Sequence, residues 1–142
     1  MHWHIVDQQS FPFQSEAVPE LSAKGAYTQF NHVYSIAEVK DLIEYARHRG
    51  VRIIPEFDTP GHTKAWGPGG GEGFLSKCKY YKESYPIDPT REENWNIMEK
   101  LVKEIKSVFR DSYLHLGGDE VDKHCWDSNP DIKQWMVEHD IR

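Results

Sequence analysis

Val-Arg-Ile-Ile-Pro-Glu-Phe (residues 51–57), running straight into Asp-Thr-Pro-Gly-His (residues 58–62), is the stretch that decides the fold. A short apolar, β-rich run that stops at polar and Gly residues reads as a buried strand. Two more runs of this kind occur, residues 4–6 with their flanks and residues 113–116. Helical patterns lie between and after them. Ser35 and Glu38 form a capping box ahead of a stripe of Ile36, Val39, Leu42, Ile43 and Ala46, and Gly50 closes that helix. A second helix is predicted from Thr90, with Glu93 three residues on and Met98, Leu101, Val102, Ile105, Val108 and Phe109 on one face. A third starts at Ser128 or Asn129, with Pro130 in its first turn and Ile132, Trp135 and Met136 turned inward.

Strand, loop and helix repeated three times is the order of a parallel α/β sheet, whose functional residues gather beyond the carboxyl ends of the strands. Asp7 follows the first run, Asp58 and His62 the second, Asp119 and Glu120 the third. The strand-to-helix loops, residues 8–34, 58–89 and 117–128, are long, which places a substrate site on that face. A complete (β/α)8 barrel takes roughly 250 residues. The chain therefore reads as a partial (β/α)8 TIM barrel of about three βα units, one piece of a single catalytic domain spanning 1–142 with no second domain. No repeat or linker interrupts it. The glycine-rich residues 67–73 lack the Lys-Ser/Thr of a phosphate loop and read as a flexible loop.

Composition narrows the partners. The 142 residues are 38% hydrophobic and 28% charged, with a formal net charge of -6 and 8 His, a globular balance with no basic cluster for nucleic acid. No stretch approaches the roughly 18 apolar residues of a membrane span, and the first residues carry no export signal. Cys78 and Cys125 sit in no metal-binding spacing, which leaves either one disulfide or two inert buried thiols.

Asp119 and Glu120 follow a strand and two glycines, in a plane that also holds Asp7, Asp58 and His62. An Asp-Glu pair alone is most simply a solvated turn, but titratable groups converging on one cleft point to acid/base work. Glycoside hydrolysis ordinarily sets two carboxylates on opposite faces of a sugar, about 5 to 9.5 Å apart. Sequence neighbours, with Cα atoms about 3.8 Å apart, are poorly placed for that. They fit a reaction in which the substrate's own 2-acetamido oxygen attacks, Glu120 protonates the leaving oxygen and Asp119 orients the acetamido N–H. A carboxylate neighbour such as Asp119 favours the protonated form of Glu120 that an acid requires. His62 is expected to bond Glu120, and Asp7 to bond His62.

The segments HWHIVDQQSFPFQS (2–15), PEL (19–21), KGAY (24–27), HVY (32–34), IEYARHRGVRIIPEFDTPGHT (43–63), YLHLGGDEVD (113–122) and CWDSNP (125–130) resemble the lysosomal and secreted β-hexosaminidases of glycoside hydrolase family 20. The likeness includes the His-x-Gly-Gly-Asp-Glu and Asp-x-Pro-Gly-His motifs. It implies retaining exo-hydrolysis of terminal β-linked N-acetylglucosamine or N-acetylgalactosamine on glycoproteins, glycolipids or chitooligosaccharides. It also implies a dimeric parent in a lysosomal or secreted setting, and neither cofactor nor metal. By the same resemblance Glu120 matches the general acid/base, Asp119 the acetamido-orienting residue, Asp119 and Glu120 together the substrate-binding pair, and His62 and Asp7 the supporting catalytic pair. Cys78 and Cys125 match a disulfide between two active-face loops. Gln8 stands where the family often has a second Asp. The family's sugar-binding Arg and the aromatic and acidic residues of later strands have no counterpart here. With Met1 at what reads as an interior strand position, the chain is expected to be barrel strands two to four of a longer enzyme, inactive alone.

Other residues carry competing readings. His2 and His4 share a strand face, so the alternative enzyme is a metal-dependent barrel hydrolase built on His2, His4, His62 and Asp119. A non-catalytic sugar-binding relative is the alternative from another class. Trp66 and Trp126 either stack on a sugar or pack their own loops, and Trp95 and Trp135 read as helix-packing residues. Glu56 and Asp58 lie on one side of their strand by parity, with Asp58 as a supporting candidate. Glu83, Glu92, Glu93 and Lys100 read as solvated surface.

Overall fold

The computed structural model describes residues 1–79 and 86–141. The surface reading of Glu83 lies outside the described residues. Strand β1 (His2–Val6) is followed by a short helix α1 (Glu20–Gly25) and by α2 (Ile36–Arg47), and β2 (Ile54–Phe57) comes next. A 3-10 turn (Lys64–Trp66) leads into the single turn α3 (Gly67–Gly70), then α4 (Glu92–Val108), α5 (Lys123–Ser128) and α6 (Pro130–Glu138).

The two strands pair in parallel, His2 with Ile54, Trp3 with Pro55 and His4 with Glu56, with an irregularity before Val6 meets Phe57. Residues 113–116 run parallel on the far side of β2, so the expected order of neighbours holds, but they make one bridge, Glu56 to His115, instead of a third strand. Competing polar groups cut the ladder at both ends. His115 exchanges bonds with β2, its N–H reaching Pro55 O at 3.0 Å while Phe57 N–H reaches His115 O at 3.0 Å. One step earlier Tyr113 N–H is taken by Asp111 Oδ1 at 2.9 Å, and one step later Gly117 N–H turns back to His115 Nδ1 at 3.0 Å. Arg52 holds the entry to this segment, donating to both Asp111 oxygens at 2.6 and 2.9 Å. That fork, with the Tyr113 N–H, lowers the Asp111 carboxyl to about 2.

Helix α2 starts as its letters dictate, with both halves of the Ser35–Glu38 capping box present. The expected cap of α4 does not form: Thr90 donates its N–H and hydroxyl to Asp88 Oδ1, and the helix begins two residues later without a side-chain cap. For α6 the choice between Ser128 and Asn129 falls on Asn129, whose Oδ1 accepts from Asp131 and Ile132 N–H, with Pro130 in the first turn. Helix α5 occupies part of what reads as loop in the sequence, and Asp122 caps it. Part of the glycine-rich stretch forms the helical turn α3. At Gly69 a side chain would run into the Glu20 carbonyl, so glycine lets α3 lie against the backbone of α1.

The core sits between the strands and the helices α2 and α4, with Val39, Ile43, Leu101 and Ile105 facing inward. An aromatic cluster anchors the end of β2. Phe13 meets Phe57 edge-on at 5.3 Å, and Phe11 meets Trp66 edge-on at 4.8 Å. Full burial of such a ring contributes about 2 kcal/mol. Phe57 therefore fixes the last residue before Asp58. Leu42, on the expected stripe, stays exposed.

Candidate active site

Asp58 emerges from β2 fully buried. Its Oδ2 accepts the His62 Nδ1–H at 2.6 Å, and its Oδ1 accepts Gly118 N–H at 3.1 Å. The other ring nitrogen of His62 lies 3.2 Å from Glu120 Oε2. The expected bond between His62 and Glu120 is thus present. The expected bond from Asp7 to His62 is not: both ring nitrogens are already engaged, and Asp58 holds the place assigned to Asp7. Parity favours Asp58, which leaves the same strand as the His62 loop and needs one turn of chain to reach the ring. Asp7 stands exposed at the end of β1, with Oδ1 accepting Gln8 N–H at 2.6 Å. It acts on His62 through its charge.

The glycines before Asp119 serve this contact. Gly117 has φ +70° and Gly118 φ +107°, values costly for residues with a Cβ. A Cβ at Gly117 would also collide with the Asp58 carboxylate. Two glycines let the chain fold over Asp58 and present Asp119 and Glu120 beside His62. Both partners of the final bond, His62 (φ 52°) and Glu120 (φ 50°), are themselves in the left-handed region. Such strain persists only where surrounding structure holds it, and it concentrates at functional sites. Oxygens of Asp119 and Asp58 and a nitrogen of His62 lie within 4.8 Å of one another. The side chain of Glu120 is 80% exposed.

His62 is raised above its ordinary value of 6.5, chiefly by the hydrogen bond to Asp58. Burial works against this, while the bond to Glu120 and the charges of Asp58 and Asp7 reinforce it. A raised histidine stabilises the fold fully below 6.5, and that contribution is lost as pH rises through the higher folded value. In the protonated form His62 donates to both carboxylates at once.

Further contacts stitch the three loops together. Thr59 N–H donates to Leu116 O at 2.8 Å, and Ala65 N–H donates to Gln8 O at 3.0 Å. Cys78 and Cys125 are joined in a disulfide between the loop after β2 and α5, 47 residues apart in sequence. Closing a loop of that size is worth about 4 kcal/mol in the chain-entropy model. Reduction is therefore expected to lower the thermal midpoint and to speed protease cleavage of residues 71–79. Titration of two free thiols in protein recovered from an oxidising compartment would show the bridge to be absent.

The tryptophans divide. Trp66 is wholly buried against Phe11 and packs its own loop. Trp126 donates its Nε1–H to Ile87 O at 3.1 Å and lines an apolar cavity of about 240 Å3 with Thr59, Pro60, Met98 and Trp95. Trp95, expected to pack in a helix interface, is 60% exposed, because its Nε1–H is drawn to Pro89 O at 2.9 Å. Trp135 is half-buried and stacks on His139 at 4.1 Å.

The proposed metal set His2, His4, His62 and Asp119 is not gathered into one group among the described residues. His2 joins Glu56 and His115, His4 joins Glu56 and Asp58, and His62 joins Asp58 and Asp119. His115 and Glu56 were not singled out as site residues from the sequence. The signal for them was parity, since His4, Glu56 and Asp58 share a strand face.

The family profile described as "Glycosyl hydrolase family 20, catalytic domain" matches residues 1–142. The chain is 50% identical over 141 residues to the beta-hexosaminidase subunit alpha of Mus musculus, covering 95% of this chain and 26% of that protein. It is 50% identical over 141 residues to the beta-hexosaminidase subunit beta of Homo sapiens, covering 96% of this chain and 25% of that protein. The chain thus spans about a quarter of the length of these relatives. A chitobiase of Flavobacterium johnsoniae superposes with a TM-score of 0.85 at 30% identity, over 99% of this chain and 22% of that one.

Proposed function

Since the chain belongs to glycosyl hydrolase family 20, we propose that it carries the acid half of a β-N-acetylhexosaminidase site, acting on terminal β-linked N-acetylglucosamine or N-acetylgalactosamine with retention of configuration. The observation that carries this reading is the chain Asp58, His62, Glu120, with Asp119 beside it. Glu120 is the proton donor to the leaving oxygen. His62 backs it, positioned by Asp58 and biased by the charge of Asp7. As Glu120 becomes a carboxylate, a protonated His62 stabilises the charge, and Glu120 then takes a proton from the attacking water. Asp119 cannot reach the opposite face of the sugar as a nucleophile while its neighbour serves as acid. It holds the acetamido N–H, and the acetamido oxygen attacks the anomeric carbon, as in substrate-assisted glycosidases.

No helix among the described residues is long and apolar enough to cross a membrane. The disulfide favours an oxidising setting, lysosomal or secreted. The parent is read as a dimer, and the sheet is read as strands two to four of a TIM barrel.

Residues 1–142 made alone are expected to be inactive. A sheet this narrow leaves open edges, and Leu42, Tyr45 and Val137 lie exposed. The pocket walls that hold the sugar are missing, and positioning supplies several kcal/mol of a barrier. The decisive experiment places residues 1–142 in the corresponding segment of the mouse subunit and assays release of N-acetylglucosamine. Turnover near that of the parent, abolished by Glu120→Gln, supports the reading. A folded but inactive chimera, or full activity of the isolated chain, overturns it.

A further inference from the structure

Glu56 is buried, 4% exposed, on the strand face opposite the aromatic core. Its carboxylate meets imidazoles from both neighbouring segments. His2 Nε2 bonds Oε2 directly, His4 Nδ1 lies 3.7 Å from the same oxygen, and His115 Nδ1 lies 3.2 Å from Oε1. The rings pack on one another, His2 against His115 at 5.1 Å and against His4 at 6.4 Å. His115 Nδ1 accepts Gly117 N–H at 3.0 Å and so cannot donate to Glu56, which leaves His2 and His4 as its possible charged partners among the described residues. A carboxylate removed from water needs a positive partner or a proton, and here imidazoles are the groups within reach of it.

His4 connects this cluster to the acid chain. Its Nε2 lies 3.9 Å from Asp58 Oδ2, the same oxygen that takes the His62 proton. Two imidazoles therefore approach one carboxylate oxygen. The groups facing His62 are otherwise all acidic: Asp58 from its own loop, Glu120 and Asp119 from the next, and Asp7 from the first. Left unopposed, they would lock a proton on His62. A permanently cationic His62 would then hold Glu120 ionised, the wrong form for a proton donor.

We propose that the His4–Glu56 pair is a positioning device for the acid, a counter-charge beside Asp58 that limits how firmly Asp58 holds the proton on His62. In this arrangement a protonated His4, partnered by Glu56, would present its charge to the oxygen that Asp58 shares with His62. The proposal rests on the reading of Glu120 as proton donor.

The test uses full-length enzyme carrying this segment, with Glu56→Gln and, separately, His4→Gln, and follows kcat/KM against pH. Either change removes the counter-charge, so His62 keeps its proton more firmly and holds Glu120 ionised, and the alkaline limb is expected to move to lower pH by about half a unit to one unit, the scale of one charge several ångströms away. The rate on substrates with poor leaving groups should also fall relative to activated aryl glycosides, and the double variant should move the limb no further than either single one. Glu56→Asp, which keeps the charge, should restore the limb. An unmoved limb in His4→Gln, or equal losses at every pH on both substrates, means the cluster only packs, and the proposal is overturned. If Glu120→Gln shows no leaving-group selectivity, the acid reading itself fails and this proposal falls with it. If Glu120→Gln is selective while the limb stays in place, only the present proposal fails.

Discussion

Glu120→Gln in the full-length enzyme is expected to cut turnover of natural glycosides, whose leaving groups must be protonated, by about 10²- to 10⁴-fold, the usual worth of a placed general acid. Activated aryl glycosides depart without a proton and should lose far less. The geometry makes the contrast sharp. Gln keeps an oxygen 3.2 Å from His62 Nε2, so the ring can donate to it as before, and the side chain is open enough that the fold should not suffer. Only the transferable proton disappears. Steady-state kinetics on a series of leaving groups checks this through the slope of log kcat/KM against leaving-group pKa, which should steepen in the variant. Equal losses across the series would remove Glu120 from the role of acid.

Asp119→Asn should cost about 10²- to 10³-fold on N-acetylated substrates, the scale of losing one oriented electrostatic partner in a transition state. Asn preserves size but places an amide where a carboxylate accepts the acetamido N–H and offsets the charge growing on the cyclising group. The loss should appear in kcat more than in KM, because that charge develops only as the ring closes. A thiazoline analogue of the cyclised intermediate should inhibit the parent and bind the variant more weakly. Trapping a glycosyl ester on a carboxylate, with no thiazoline inhibition, would make one of the carboxylates a nucleophile and end the substrate-assisted account.

Much of this site was legible in one dimension because strand ends are legible. A β-rich run that halts at Asp58, and another that halts at Gly117, places the polar residues just beyond them on one face of a parallel sheet. The bond from His62 to Glu120 follows from that placement. The partner on the other side of His62 did not follow, because Asp7 and Asp58 are equally at strand ends in the sequence. Only the packing of the loops shows Asp58 buried beneath the ring and Asp7 exposed.

What the sequence determined by itself is local or periodic: the Ser35–Glu38 capping box, the inward stripes of α2 and α4, the parallel order of segments, the family motifs and the convergence of acids on one face. These rest on neighbours within four residues or on repeating patterns, which the chain states directly. The tertiary structure decided which of several claimants takes a given polar group or space. Thr90 is bound to Asp88 instead of capping α4, and residues 113–116 make only a bridge because Asp111 and His115 take N–H groups that a ladder would use. Gly117 is glycine because the Asp58 carboxylate closes over it, and Asp58 Oδ2 faces both His62 and His4. In each case one atom or one space has more than one claimant, and which prevails depends on distances that exist only once the chain has folded.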